Sequence, residues 1–264
     1  MLLTEKSFRY ALSENVRVIG ALVIRSGVTR FGESRIGYLW TLAEPSIYVG
    51  MFLAMHGLVR TSLPFGDSAM LFFLTGVIGF RMTNLIARKA ANGLSHNGPM
   101  LGYPLVKPLD TIVAAFLLET IIWMIICALF MFFMFAALER HIIVYPLEFA
   151  SALLAICYFA FSFAVFNATF GALVPLWAKI LSFSNMILMF TSGVLFVPST
   201  LPPSLLAIVW WNPFLHCVEW FRSATYLDYV TVLSKTYLLS AATCFLVTGL
   251  ALERIYRNRI ISSE

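Results

Sequence analysis

Glu44, Arg81 and Glu119 raise the first chemical question, because each carries a full charge inside an otherwise apolar stretch. A charge in such a setting either pairs, sparing an isolated ion the cost of hydrocarbon, or lines a route for a polar solute. Both readings are open for these three. Counting about 1.5 Å per helical residue, Glu44 stands about 10 Å above Gly37, Arg81 about 10 Å above Arg88 and Lys89, and Glu119 about 13 Å above Asp110. All three therefore lie at nearly one depth, where Arg81 is the basic residue expected to pair with Glu44. Pro45 lacks a backbone donor and crowds the carbonyl of Thr41, so a kink is expected at the Glu44-Pro45 step. Trp40, Glu44 and Tyr48 follow at steps of four, as a stripe expected to face the subunit interior.

Other reactive groups do not assemble. His56, His96, His141 and His216 fall one to a segment, and Asp67, Asp110 and Asp228 are isolated. The sequence has no Asp-x-Asp, no His-x-x-x-His and no nucleophile elbow, so an enzyme and a metal centre are both disfavoured. It also lacks the G-x-x-x-x-G-K-[ST] phosphate loop. If the chain takes part in driven transport, the ATPase is another polypeptide.

The composition says what surrounds these residues. Of 264 residues 60% are hydrophobic and 12% charged, with a mean hydropathy of +0.87, against about 45–50% and about 25% in ordinary globular domains. Such a chain cannot cover its apolar surface in water and reads as an integral membrane protein. Six runs approach the ~20 residues that cross a bilayer as helix: 38–58, 68–87, 111–137, 149–174, 180–197 and 236–252, the fifth being short. Runs such as TIIWMIICALFMFFMFAAL (120–138) do not alternate, which excludes a barrel. With six spans, one side holds Lys6, Arg9, Arg17, Arg25, Arg30, Arg35, Arg81, Arg88, Lys89, Lys107, Lys179, Arg254, Arg257 and Arg259, and the other only Arg60, Arg140, Arg222 and Lys235. The imbalance places both termini in the cytoplasm. It also accounts for the net charge of +5 without nucleic acid. No cleavable signal peptide is expected. Cys127, Cys157 and Cys244 fall in spans and Cys217 in an outward loop, so no disulfide framework is expected.

Residues 1–36 form a cytoplasmic interfacial segment. Within it Phe8, Leu12, Val16, Ile19 and Val23 recur at helical spacing opposite Arg9, Ser13, Glu14, Arg17 and Arg25, an amphipathic helix for the membrane interface or for a soluble partner. Between spans two and three, residues 90–110 are broken by Asn92-Gly93, Asn97-Gly98-Pro99 and Tyr103-Pro104, leaving room for a short helix at most. Between spans five and six, residues 198–235 contain SLLAIVWW (204–211), too short to span and ended by Asn212-Pro213. Beyond that break Phe214, Val218, Phe221 and Thr225 alternate with Glu219 and Arg222, as in a half-buried helix, and these two charges stand at i and i+3, close enough to pair. The loop therefore reads as re-entrant or interfacial. Residues 253–264 form a cytoplasmic tail. Trp40, Tyr48, Trp177, Trp210, Trp211 and Trp220 suit interface anchors or stacking platforms for sugar rings.

RFGESRIGYLWTLAEPS (30–46), NGPMLGYPLVKPLDT (97–111) and WWNPFLHCVEWFR (210–222), in this order, resemble the membrane permease of capsular polysaccharide ABC exporters of Gram-negative bacteria. These are type-2 ABC transporter permeases, related to O-antigen and teichoic acid exporters. The resemblance covers essentially the whole chain and implies a single all-α transmembrane domain over 1–264, with six transmembrane helices, an N-terminal interfacial helix and re-entrant helices before the last span. It further implies a homodimer docking two copies of an ATPase subunit that binds the ATP and magnesium, no cofactor in this chain itself, and a lipid-linked acidic polysaccharide as substrate. A periplasmic adaptor and an outer-membrane channel would continue the path. The expected translocation path is Trp40, Glu44, Tyr48, Arg81 and Glu119. ATPase coupling falls to Asn92, His96, Pro99, Met100, Tyr103 and Pro104, and a periplasmic gate to Trp210, Trp211, Asn212, Pro213, Glu219 and Arg222. The same fold exporting O-antigen, teichoic acid or a small amphiphile is the alternative.

The charge asymmetry predicts the outcome of cysteine labelling. Single cysteines near Lys6, Ser95 and Ser262 should resist an impermeant thiol reagent in whole cells, and ones near Ser62 and Ser199 should react once the outer barrier is opened. Labelling of the first set would refute six spans with cytoplasmic termini.

Overall fold

A computed structural model of the chain describes residues 2–31, 36–59, 65–103, 105–139 and 141–263, with side chains described for 13–29, 40, 42–58, 65–103, 105–139 and 141–257. Pro104 lies outside the described residues, as do the side chains of Phe8 and Leu12 and of the basic residues Lys6, Arg9, Arg30, Arg35, Arg60, Arg140 and Arg259. Ten α-helices follow in order: α1 Leu2–Phe31, α2 Ile36–Val59, α3 Ala69–Ala91, α4 Gly93–His96, α5 Pro108–Leu138, α6 Pro146–Leu173, α7 Trp177–Thr191, α8 Pro203–Val209, α9 Pro213–Thr225 and α10 Lys235–Ser263. Two 3-10 turns, Gly98–Gly102 and Pro198–Thr200, complete the chain. The described residues contain no strand.

Among the described residues, four helices are long and apolar enough to cross a membrane: α3, α5, α6 and the Lys235–Arg257 part of α10. They cover the expected second, third, fourth and sixth spans. The expected first span lies within α2, whose 24 residues reach about 36 Å. The expected fifth span is shortened, because α7 has 15 residues and reaches only about 22 Å. It stops because Ser192 leaves helical geometry and Gly193 takes a φ of 76°, a left-handed conformation that suits glycine.

The bundle is built around α3. Seventeen of its 23 residues are buried, Arg81 among them, and α2, α5, α6 and α9 pack around it. Its start is fixed by Ser68, whose hydroxyl accepts the Leu71 N–H. On the far side of α6 lies α10, and the interface between these two holds the Phe159, Phe163, Phe166 and Phe245 rings. The backbones come close at Gly249, where a Cβ would stand 2.8 Å from the Phe166 nitrogen.

The expected N-terminal helix is present as α1, but its faces differ from the expected ones. Leu22 is its buried apolar contact and α5 the neighbour, while Val16, Ile24 and Val28 are exposed. Arg17 and Arg25 are exposed too. The helix thus packs on its own bundle and leaves an apolar stripe outward, which suits a membrane interface.

The close approach at Gly249 predicts that Gly249→Ala forces α10 away from α6. Overpacking of this kind costs about 1–3 kcal/mol. Gly57→Ala, where nothing lies within 4 Å of the added Cβ, should leave stability equal or higher. Thermal unfolding of the two variants in the same detergent measures the difference.

Candidate functional site

The in-span charges meet as two pairs. Glu44 on α2 forms an ion pair with Arg81 on α3, and the Arg81 guanidinium also stands over the Tyr48 ring, 4.5 Å from its centroid. Glu119 on α5 lies apart from that pair. Its Oε2 is 3.4 Å from Nζ of Lys89, a residue placed by depth counting at the end of span two. A lysine side chain reaches back along its own helix, and this is how the terminal cation meets the buried carboxylate.

Trp40 does not join the stripe. It is 64% exposed, whereas Pro45, Val49 and Phe52 form the buried face of α2. Each step of four residues turns a helix about 400°, so Trp40 is rotated about 80° from Tyr48. Tyr48 meets Arg81, and Trp40 swings outward. Pro45 lies inside α2, which runs as one helix from Ile36 to Val59. The proline cannot donate to the carbonyl of Thr41. One residue on, the Ser46 hydroxyl donates to the Leu42 carbonyl at 3.0 Å.

After α3 the chain turns through α4 and the 3-10 turn, which together form the short helical segment expected between the breakers. Leu94, Asn97, Gly98 and Leu101 are buried against the bundle, and Asn92, His96, Pro99 and Tyr103 are exposed, Tyr103 at 60%, with Met100 in between. The segment is anchored on both sides. Asn97 Nδ2 donates to the Gly93 carbonyl at 2.9 Å, and Asn97 Oδ1 accepts from Arg25 on α1 at 3.3 Å. What remains outward is a compact ridge of histidine, proline and tyrosine.

At the opposite end the Asn212-Pro213 break is an N-cap. Asn212 Oδ1 accepts the Phe214 N–H at 3.0 Å, Pro213 occupies the first helical position, and Asn212 Nδ2 donates to the Leu188 carbonyl and to Thr191 Oγ1 on α7. Eleven of the 13 residues of α9 are buried, so this helix is a core element and not the half-buried one its pattern suggests. Glu219 and Arg222 do not pair with each other. Arg222 donates to the backbone carbonyls of Gly193 (2.6 Å), Val194 (2.9 Å), Phe196 (3.3 Å) and Phe72 (3.3 Å), with its guanidinium 3.9 Å from the Phe72 ring centroid. A Cβ on Gly76 would stand 2.5 Å from Arg222 Nη2, so only glycine leaves room for it.

Glu219 accepts from the Tyr229 hydroxyl (2.5 Å), the Thr231 hydroxyl (2.9 Å) and the Val232 N–H (3.1 Å), and so ties residues 229–232 onto α9. Burial pushes the Tyr229 phenol above its ordinary range, so it keeps the proton it donates. His216 completes this fastening. Its Nδ1 accepts the Ser234 N–H at 3.2 Å, which leaves the proton on Nε2 to be donated to the Trp210 carbonyl at 2.9 Å.

The aromatic candidates divide by surroundings. Trp177 donates to Asn167 and packs edge-on to Phe166 and Phe170. Trp220 is buried and donates to Glu148, with Lys235 over its ring. Trp210 is clasped by Trp211, His216 and Tyr237 and donates to the Val232 carbonyl. Trp211, 68% exposed, is the outward one at this end. Sequence reasoning missed His216, Tyr229 and Glu148. Their partners lie in irregular segments or on other helices, and no local spacing signals them.

Comparison with known proteins bears on the whole arrangement. The family described as "ABC-2 type transporter" matches residues 17–226. The chain belongs to this family. It is 30% identical over 250 residues to the polysialic acid transport protein KpsM of Escherichia coli, covering 93% of this chain and 95% of the relative. It is 29% identical over 267 residues to the capsule polysaccharide export inner-membrane protein CtrC of Neisseria meningitidis serogroup B, with 95% of each covered. To BexB of Haemophilus influenzae, a protein of the same description, it is 27% identical over 259 residues, with 97% of each covered. The matched part of this ABC-2 chain runs from α1 to the end of α9 and thus includes both ion pairs, the α4 segment and the Arg222 site.

The Glu44–Arg81 pair generates a charge-exchange prediction. Glu44→Gln and Arg81→Gln should each lower the folded fraction, the first more than the second, since it strands the buried Arg81 whereas Glu44 is half-buried and partly solvated. Glu44→Arg combined with Arg81→Glu should restore folding, read by gel filtration in detergent. Failure of the exchanged pair to fold better than either single variant would show that the pair does not hold α2 to α3.

Proposed function

We propose that the chain is the transmembrane subunit of an ATP-driven exporter that moves a lipid-linked capsular polysaccharide from cytoplasm to periplasm across the inner membrane. The observation that carries this reading is the likeness, over nearly the full length of both chains, to inner-membrane proteins of capsule export in two organisms and to a polysialic acid transporter in a third. The same fold exporting O-antigen, teichoic acid or a small amphiphile is the second reading; it differs in cargo alone.

In this proposal the chain crosses the membrane six times, with α2 and α7 as first and fifth crossings and both termini in the cytoplasm. The fourteen-to-four division of Lys and Arg supports that orientation. The pair α8 and α9 re-enters from the periplasmic side, and the extensive burial of α9 supports placing it deep. Two copies of the chain pair, because α7 contributes no buried residue and leaves Phe183, Met186, Ile187 and Phe190 exposed. Two copies of an ATPase bind ATP and magnesium and grip the ridge of His96, Pro99, Met100 and Tyr103, with Asn92 at its base and Pro104 next in sequence. Closure of those ATPases pulls on α3 and α5, which the ridge joins. The charged, lipid-linked end of the polymer enters beside Glu44, Arg81 and Glu119, near Tyr48 and Trp40. It leaves past Trp211, where a weak stack on each sugar ring lets the chain slide. Trp210, Asn212, Pro213, Glu219 and Arg222 hold that exit in shape. A periplasmic adaptor and an outer-membrane channel take the polymer onward.

Co-expression with the neighbouring ATPase tests the reading. Tyr103→Ala should leave the permease in the membrane, yet lower surface polysaccharide and transport-stimulated ATP hydrolysis severalfold, with polymer retained inside the cell. Unchanged export at equal expression would remove the ridge from the coupling path. Normal surface polymer in cells lacking the permease altogether would refute the function itself.

A further inference from the structure

A cavity of about 470 Å³ opens between α1, the α4 segment and α5, within the roughly 300–1,000 Å³ of small-molecule sites. Its wall carries Arg25 and Ser26 from α1, Lys89 from the end of α3, His96 and Asn97 from the coupling segment, and Glu119 from α5. Among the described residues two full cations, Arg25 and Lys89, thus face one carboxylate, Glu119, and Lys89 already pairs with it. Arg25 is the second cation of the wall.

The geometry around Arg25 is prepared. Asn97 has its amide orientation set by the bond from Nδ2 to the Gly93 carbonyl, so its Oδ1 is the atom turned to Arg25. One Arg25 N–H goes to that neutral oxygen, and a guanidinium has five. A planar, fixed fork of this kind matches a phosphate oxygen pair better than a single point charge does. Ser26, one residue on, adds a hydroxyl donor. The helix that supplies Arg25 also exposes Val16, Ile24 and Val28, which puts apolar surface on the same element as the cation.

We propose that this cavity binds a phosphate ester, with Arg25 as its principal ligand, Lys89 and Ser26 as supporting donors, and the apolar stripe of α1 carrying any attached acyl chains. The ligand chemistry is shared by a phospholipid headgroup in the cytoplasmic leaflet and by a soluble organic phosphate. Neither source requires that the chain export a polysaccharide, so the site stands or falls independently of the proposed function.

The test uses the purified full-length chain in neutral detergent, read by native mass spectrometry against dioctanoyl phosphatidylglycerol, dioctanoylglycerol and glycerol 3-phosphate. Phosphatidylglycerol should bind and its phosphate-free counterpart should not. Arg25→Gln, at an exposed position, should weaken binding about tenfold or more, and Arg25→Lys should recover part of it. Competition by glycerol 3-phosphate at equal concentration would assign the site to a soluble phosphate; its absence assigns the site to lipid. Equal binding of phosphatidylglycerol by wild type and Arg25→Gln, or equal binding of dioctanoylglycerol and phosphatidylglycerol, would overturn the proposal.

Discussion

Arg222 brings a full charge into the middle of a helical bundle, and the chain meets it with backbone oxygen. Four carbonyls, from residues 72, 193, 194 and 196, surround the guanidinium. A carboxylate partner would have needed its own solvation, whereas the carbonyls of the turn that follows α7 belong to no helical ladder. One side chain thus satisfies that turn and the cation of α9 together. The arrangement requires that α7 end where it does, that Gly193 turn the chain, that Gly76 lack a Cβ, and that Asn212 begin α9 in register. Short α7, broken α8 and buried α9 are consequences of one another, joined at this cation.

The side of α3 that faces α2 and α5 solves the same problem by other means. Its buried cation, Arg81, takes a carboxylate from α2 and an aromatic face from Tyr48, and its buried carboxylate, Glu119, takes Lys89 from the helix end. Two ion pairs on different neighbours of α3 tolerate sliding better than a carbonyl cage does, because each can be remade or solvated as helices shift. The α4 segment hangs between them, joined to α1 through Arg25 and Asn97.

Long helices and their breaks were legible in the sequence because apolar runs and Asn-Gly, Asn-Pro and Gly-Pro steps act locally. The Glu44–Arg81 pair was legible from depth counting alone. The same counting misplaced Lys89, since it locates a Cα and ignores a flexible side chain that reaches back toward Glu119. The burial of α9 was hidden for a related reason: Glu219 and Arg222 make it read as amphipathic, and their true partners are a strap at 229–232 and carbonyls up to 150 residues away. A hydrophobic pattern reports which residues avoid water, not which polar residues have been given partners inside. Likewise a step-of-four stripe suggested that Trp40 and Tyr48 share a face, until the 40° drift per step is summed.

The contrast between α3 and α7 carries the argument one step further. Both come from apolar sequence, yet α3 buries most of its residues within one chain and α7 buries none. Lipid alone would satisfy the side chains of α7, but a helix of about 22 Å leaves its ends short of a bilayer of about 30 Å. Irregular backbone at membrane depth persists only where protein or a water-filled space accepts its polar groups. Arg222 takes up the carbonyls of the turn just beyond α7 from inside the subunit. The apolar face of the helix has no such neighbour in its own chain, and a second copy laid against Phe183, Met186, Ile187 and Phe190 would cover it while leaving the Arg222 cage untouched.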